Sequence, residues 1–307
     1  LQAESETSSI NMLYGGASTG KAVMTSSSSP GVSLMQEGIS YIAAAELPAL
    51  IVNVMRGGPG LGTIQPSQAD YFQTCKGGGH GDYRLIVLAP SSVQEMADFV
   101  GLGMDLMFKH TTPVMILADG VVGQMMEKVV LPPFRPRRTD EEIRNSMKWI
   151  ACGKGDRKQR NVITSLEMDP HKMEVNNHRL QEKYAKIEAE EVRFEEFMTE
   201  DAEYLIVAFG SLARIAKNAI EELRDQGVKV GLLRPITLWP FPYAEIKRIG
   251  EHTKGMLVVE LNAGQMIEDV QLAVGNSQPV YHFGRLGGIV PSPVEVVEAF
   301  KKDFLNK

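Results

Sequence analysis

Apolar and polar positions along the chain alternate between two periods, and that alternation sets the expected architecture. Short apolar runs at 21–27, 49–55, 84–89 and 112–118 read as strands, and the stretches at 31–45 and 91–109 read as helices. Leu50-Ile-Val-Asn-Val and Pro113-Val-Met-Ile-Leu-Ala carry almost no polar side chain, as strands buried on both faces require. A helix opens the chain, with Ile10, Leu13 and Ala17 at helical spacing. Between about 131 and 200 the pattern breaks. Leu131-Pro-Pro-Phe-Arg-Pro-Arg-Arg is extended and basic, and Met173 to Met198 is densely charged, with helical spacing and no strand signal. From Glu203 the alternation resumes, with strands at 203–209, 228–233, 255–261 and 278–283 and helices at 211–225, 241–250, 263–274 and 291–303. The expected fold class is α/β, with two doubly wound domains at 1–170 and 201–307 joined by a charged helical connector at 171–200.

Composition narrows the partners more than the fold. A chain of 307 residues suits two domains with separate cores, and a net charge of −6 with interspersed signs gives no nucleic-acid track or anionic-membrane face. Cys75 and Cys152 are the only cysteines, which excludes a disulfide framework or an iron–sulfur cluster held by this chain alone and fits a reducing, cytoplasmic setting. No apolar run reaches the length of a membrane span. The sequence starts at Leu1 and enters a helix almost at once, so a segment upstream is expected.

Candidate chemistry gathers in the first half. Glu6 falls on or near the Ile10–Leu13–Ala17 stripe, where a carboxylate is either a tuned acid/base group or a helix-start residue favoured by the helix dipole. Arg56 ends a buried strand and is followed by four glycines and one proline in six residues. Open α/β sheets keep their ligands at such strand ends, although a surface arginine has the same signature. Ser26 to Ser29 with Gly31 form a turn before a helix, in which Ser28, Ser29 and the Gly31 backbone either meet a cofactor or simply cap the helix. His80, in Lys76-Gly-Gly-Gly-His-Gly-Asp-Tyr83, is a candidate for lining the substrate site or a subunit interface, and with Asp82 it lacks a third metal ligand nearby. No metal site is expected on this chain. Ser211, in Ala208-Phe-Gly-Ser-Leu-Ala-Arg214, reads as an N-cap and only weakly as a phosphate cradle.

Glu6, the turn from Thr25 to Pro30 with Gly31-Val-Ser-Leu-Met-Gln-Glu37, Arg56-Gly-Gly-Pro-Gly60 and the closing Gly284-Arg-Leu-Gly-Gly-Ile-Val-Pro-Ser-Pro293 together resemble the alpha subunit of the 2-oxoacid:ferredoxin oxidoreductases. The likeness is strongest to the branched-chain enzymes acting on 2-oxoisovalerate (3-methyl-2-oxobutanoate). It implies a pyrimidine-type thiamine-diphosphate-binding domain followed by a transketolase C-terminal-like domain. It further implies that Glu6 shares a proton with ring nitrogen N1′ of the cofactor, favouring the tautomer that can take the thiazolium C2 proton, and that Arg56 faces the 2-oxoacid carboxylate. The implied reaction is oxidative decarboxylation to acyl-CoA and CO2 with reduction of ferredoxin. The implied partners are a thiamine-diphosphate-binding beta subunit with Mg2+ and an iron–sulfur subunit with [4Fe–4S] clusters, without which the chain is inactive. The family's Tyr-Pro-Ile-Thr-Pro segment does not occur here and is expected upstream. A 2-oxoglutarate enzyme and a non-catalytic assembly subunit are the alternatives.

Overall fold

The computed structural model describes residues 1–306. In chain order the first half runs α1 (Glu6–Ser18), β1 (Met24–Ser27), α2 (Ser29–Ala44), β2 (Ala49–Met55), α3 (Tyr71–Cys75), β3 (Ile86–Leu88), α4 (Val93–His110), β4 (Pro113–Asp119), α5 (Gly120–Gln124), α6 (Asp140–Ser146) and α7 (Pro170–Glu190). The second half runs β5 (Phe194–Phe197), β6 (Tyr204–Ala208), α8 (Ser211–Asp225), β7 (Val230–Pro235), β8 (Thr237–Trp239), α9 (Tyr243–Gly250), β9 (Met256–Glu260), α10 (Met266–Val274), β10 (Val280–Gly284) and α11 (Pro293–Phe304).

The strands form two sheets, ordered β1-β2-β4-β3-β8 and β10-β9-β6-β7-β5. Each is parallel except for one antiparallel edge strand, β8 on β3 and β5 on β7. The alternating α/β architecture expected from the sequence is therefore present. Two strands depart from it. Phe194-Glu-Glu-Phe lies in the charged stretch read as helical, and forms a strand because its glutamates are paired: Glu195 accepts from Arg234 at 2.9 Å and from Lys217, and Glu196 pairs with Arg248. Thr237–Trp239 leaves the second sheet and adds to the first, setting Trp239 opposite Val87.

Buried polar contacts join the halves. Asp119, at the end of β4, caps α5 through the N–H groups of Val121 (3.1 Å) and Val122 (3.2 Å), and its other oxygen accepts the Ser211 N–H at 3.0 Å. Asp269 on α10 accepts from Tyr71 at 2.5 Å and from Lys76 and Tyr243. A third charged cluster closes the end of α7. Glu191, only 2% exposed, takes Lys109 at 2.6 Å, His110 at 2.7 Å and Arg193 at 2.8 Å. His110, Glu190 and Glu191 approach one another as cation ligands do, but Lys109 and Arg193 already supply the positive charge there.

Burial pushes the Glu191 carboxyl up, yet the hydrogen bonds from Lys109, His110 and Arg193 outweigh it and hold the group at about 2, below its ordinary 4.5. A depressed carboxyl stabilises the fold above the unfolded value and loses that contribution as pH falls towards the folded one. Glu191→Gln should cost about 2 kcal/mol at pH 7, once screening around half-exposed Lys109 is allowed for. The deficit should shrink between pH 4.5 and 2. Denaturant unfolding of both proteins at pH 7 and pH 3 measures this, and an equal gap at both pH values would contradict it.

Candidate functional site

α1 lies against α2 because Gly38 leaves room for Ile10: a Cβ at position 38 would stand 2.5 Å from the Ile10 Cγ2. Ser9 and Thr25 share a hydrogen bond of 2.7 Å, which ties the same helix to β1. Ile10, Leu13 and Ala17 are buried in this contact, whereas Glu6 sits one turn earlier, half-buried in the first turn of α1 after N-cap Ser5. The carboxylate is thus at a helix start rather than deep on the apolar face, since the stripe leaves the core at the edge of the sheet. It meets the N-terminus of α2, where the helix dipole favours negative charge. The Ser27 Oγ–H donates to Glu6 Oε1 at 3.4 Å, and a Cβ on Gly31 would lie 2.8 Å from that oxygen and 2.1 Å from the Ser27 Oγ. A side chain at 31 would therefore displace the Ser27 hydroxyl and the Glu6 carboxylate. Glu6, Ser9, Thr25 to Ser27 and Met35 line a cleft of about 560 Å³. Ser28 occupies the N-cap position of α2 without a side-chain cap bond, and its carbonyl accepts the Gly31 N–H at 2.7 Å.

A second cleft, of about 480 Å³, opens at the N-terminus of α2. Ser29 organises it: its Oγ–H donates to Asp70 Oδ2 at 2.6 Å, and its oxygen accepts the Arg56 N–H at 3.0 Å. Fully buried Asn53 donates to the same Asp70 oxygen at 2.9 Å. Arg56 Nη2 holds the following loop through the Leu61 carbonyl at 3.2 Å, while its buried Nε has no protein partner. That loop needs Gly62, whose φ is +64° and whose Cβ would stand 1.8 Å from the Gly57 oxygen. Both halves of the chain line the cleft, Leu261, Asn262, Ala263, Gln265, Leu286 and Gly287 coming from the second.

The structure brings Glu6, Ser28, Ser29, Gly31 and Arg56 around the N-terminus of α2 and leaves His80 apart. Ser40 Oγ–H donates to the His80 carbonyl at 2.8 Å, eleven residues and about 16 Å along α2 from Ser29. Exposed His80 lines a separate cleft of about 680 Å³ with Tyr41, Leu166 and Asn177. The glycines beside it serve packing on α2, since a Cβ at Gly78 would stand 2.1 Å from the Gln36 Oε1. Ser211 also departs from expectation. Gly210, with φ +59°, is the N-cap of α8, and the carboxylate at that helix start is Asp119. Sequence reasoning missed Asp70 and Asn53. Asn53 had a signal, as the lone polar residue in an apolar strand, but Asp70 had none.

Comparison with known proteins gives this geometry a family. Residues 1–198 match the thiamine-diphosphate-binding family model of pyruvate flavodoxin/ferredoxin oxidoreductase, and residues 202–296 match pyruvate:ferredoxin oxidoreductase core domain II. Ketoisovalerate oxidoreductase subunit VorB of Methanothermobacter marburgensis is 51% identical over 288 residues, covering 94% of this chain and 80% of the relative. The 2-oxoglutarate:ferredoxin oxidoreductase of Magnetococcus marinus, solved with 2-oxoglutarate, coenzyme A and succinyl-CoA bound, superposes with a TM-score of 0.83 at 26% identity. That match covers 99% of this chain and 57% of the solved one. A split-gene transketolase, as an inactive beta4 tetramer, shares the fold at a TM-score of 0.57 and 14% identity, covering 97% of this chain and 81% of the transketolase chain. The chain belongs to the 2-oxoacid:ferredoxin oxidoreductase family, as an alpha-type subunit.

Proposed function

We propose that this subunit presents Glu6 to the aminopyrimidine ring of thiamine diphosphate and Arg56 to the carboxylate of a branched-chain 2-oxoacid, within an enzyme that forms acyl-CoA and CO2 and reduces ferredoxin. Glu6 suits the cofactor because its carboxylate lines an open cleft and takes only a long 3.4 Å bond from Ser27, which leaves acceptor capacity for a ring nitrogen. When bound, thiamine diphosphate supplies the nucleophilic carbon and the electron sink for decarboxylation. This chain's own residues hold and orient. Glu6 would keep a proton at N1′ with Ser27 and Gly31 against its carboxylate, the turn through Ser28 and Ser29 leads on to the second cleft, and the Arg56 guanidinium there would take the substrate carboxylate in a forked pair of hydrogen bonds.

The observation that carries the choice of substrate is charge. Among the described residues Arg56 is the one cation lining its cleft, whose walls include the Asp70 carboxylate with Pro30, Pro59, Ala69, Leu261 and Leu286. Neighbouring Arg285 is held by Glu295 at 3.0 Å. One guanidinium matches the single carboxylate of 2-oxoisovalerate, and a distal carboxylate such as that of 2-oxoglutarate would meet no second cation among this chain's described residues lining the cleft.

The remaining machinery is assigned to other chains. A thiamine-diphosphate-binding beta subunit would hold the diphosphate and Mg2+, and an iron–sulfur subunit would carry electrons through [4Fe–4S] clusters to ferredoxin in a reducing cytoplasm. This chain has only two cysteines, and burial pushes the Cys75 thiol well up, away from the thiolate that ligates iron. Assay of the complex from its native source with a panel of 2-oxoacids, coenzyme A and a low-potential dye tests the reading. Its kcat/KM for 2-oxoisovalerate should exceed that for 2-oxoglutarate by about 100-fold. The reverse order would favour the 2-oxoglutarate enzyme, and no turnover of any 2-oxoacid would leave an assembly subunit.

A further inference from the structure

We infer that Gln265, in the half of the chain built on the second sheet, is a positioning residue for Arg56. The inference rests on the carboxylate-binding role proposed for that arginine. The Gln265 side chain brackets Asp70: its Nε2–H donates to the Ala69 carbonyl at 2.8 Å, and its Oε1 accepts the Phe72 N–H at 2.8 Å. Asp70 lies between these two points and sends its own carboxylate into the cleft, where it accepts from Ser29 and Asn53. The Ser29 oxygen takes the Arg56 N–H, so hydrogen bonds joined through the backbone of residues 69–72 connect the N-cap of α10 to the backbone that aims the guanidinium. The far end of the series is fixed as firmly. Glu260, fully buried at the end of β9, accepts the N–H groups of Gln265 (3.2 Å), Met266 (2.8 Å) and Ile267 (3.2 Å).

The neighbouring residues make the same loop dependent on the second half. Gln68 and Leu261 exchange backbone and side-chain bonds at 3.0 and 3.2 Å, and Asn262 donates to the Gln68 carbonyl at 2.9 Å. Those bonds and the Ser67 hydroxyl donating to the Leu261 carbonyl hold residues 67–68, while among the described residues Gln265 alone reaches the backbone on both sides of Asp70. Losing its side chain leaves the Ala69 carbonyl and the Phe72 N–H unpaired and lets the Asp70 carboxylate shift against Ser29. The transketolase-like half thereby takes part in substrate recognition without touching the substrate.

The test uses the assembled complex. Gln265→Ala should raise the KM for 2-oxoisovalerate about tenfold, the loss of one to two hydrogen bonds, while the KM for coenzyme A and the affinity for thiamine diphosphate stay put. Gln265→Glu, which keeps the acceptor for Phe72 but sets a carboxylate against the Ala69 carbonyl, should raise the same KM. Because both residues act through one series, Gln265→Ala with Ser29→Ala should cost no more than the worse single change. Unchanged KM in both Gln265 variants, or effects of the pair that multiply, would overturn the inference. Arg56→Ala separates the two levels: if it raises the 2-oxoacid KM and the Gln265 variants do not, only the positioning role falls, and if it leaves that KM alone the carboxylate-binding reading falls as well.

Discussion

Glu6→Gln is expected to lower kcat of the assembled enzyme on the order of 10²–10⁴-fold, the usual weight of a positioned proton-transfer group. Glutamine nearly matches glutamate in shape, so it keeps the packing against Gly31 and the contact with Ser27. What it loses is the negative charge that would stabilise a protonated ring nitrogen. The effect should therefore fall on kcat, with the KM for the 2-oxoacid little changed, because Glu6 and Arg56 line different clefts. Steady-state kinetics with saturating cofactor, together with a direct measurement of thiamine diphosphate binding, separates weak binding from slow chemistry. A variant that binds cofactor and turns over 2-oxoisovalerate at the wild-type rate would remove Glu6 from catalysis and leave it as a helix-start carboxylate.

The extent to which this site is legible in the sequence follows from how local each signal is. β2 and β4 announce themselves because a strand covered on both faces must be apolar along its whole length. Arg56 is legible for the same reason, since it is the first charged residue after such a strand and opens a glycine-rich turn. β5 and β8 are not legible. Phe194-Glu-Glu-Phe owes its strand conformation to Arg234, Lys217 and Arg248 on distant segments, and Thr237–Trp239 owes its to an edge of the other sheet. β5 is only partly buried and so lacks a continuous apolar run, and β8 is buried throughout but is three residues long, too short to show one.

Long-range contact explains where His80 lies and why Asp70 was missed as well. His80 carries the right chemistry in a glycine run, but those glycines exist to let the loop lie on Gln36 and Ser40 of α2, far from Ser29. Asp70 lies in an unremarkable stretch, and its importance comes from Ser29 and Asn53, which the fold brings in from 41 and 17 residues away. Gln265 meets its partners across 193 and 196 residues, a separation at which a single sequence holds no pairing signal.

Arg56→Ala should raise the KM for 2-oxoisovalerate on the order of 10²–10³-fold, which corresponds to losing a forked pair of charge-assisted hydrogen bonds. No other cation among the described residues lines that cleft, so no second side chain of this chain there can take over the carboxylate. The arginine also donates to the Leu61 carbonyl, and alanine would loosen the glycine loop along with removing the charge. Arg56→Lys divides the two contributions. Lysine keeps the charge but offers a point donor in place of the planar fork, so the KM should recover only in part, and productive alignment of the substrate should remain impaired. Free guanidinium added to the alanine variant should restore part of the lost affinity by occupying the vacated volume. Both outcomes are read from initial rates across a substrate series, with urea unfolding of each variant as the check on the fold. If Arg56→Ala retains the wild-type KM while folding normally, the substrate carboxylate is bound elsewhere, and the specificity argument built on a single cation loses its premise.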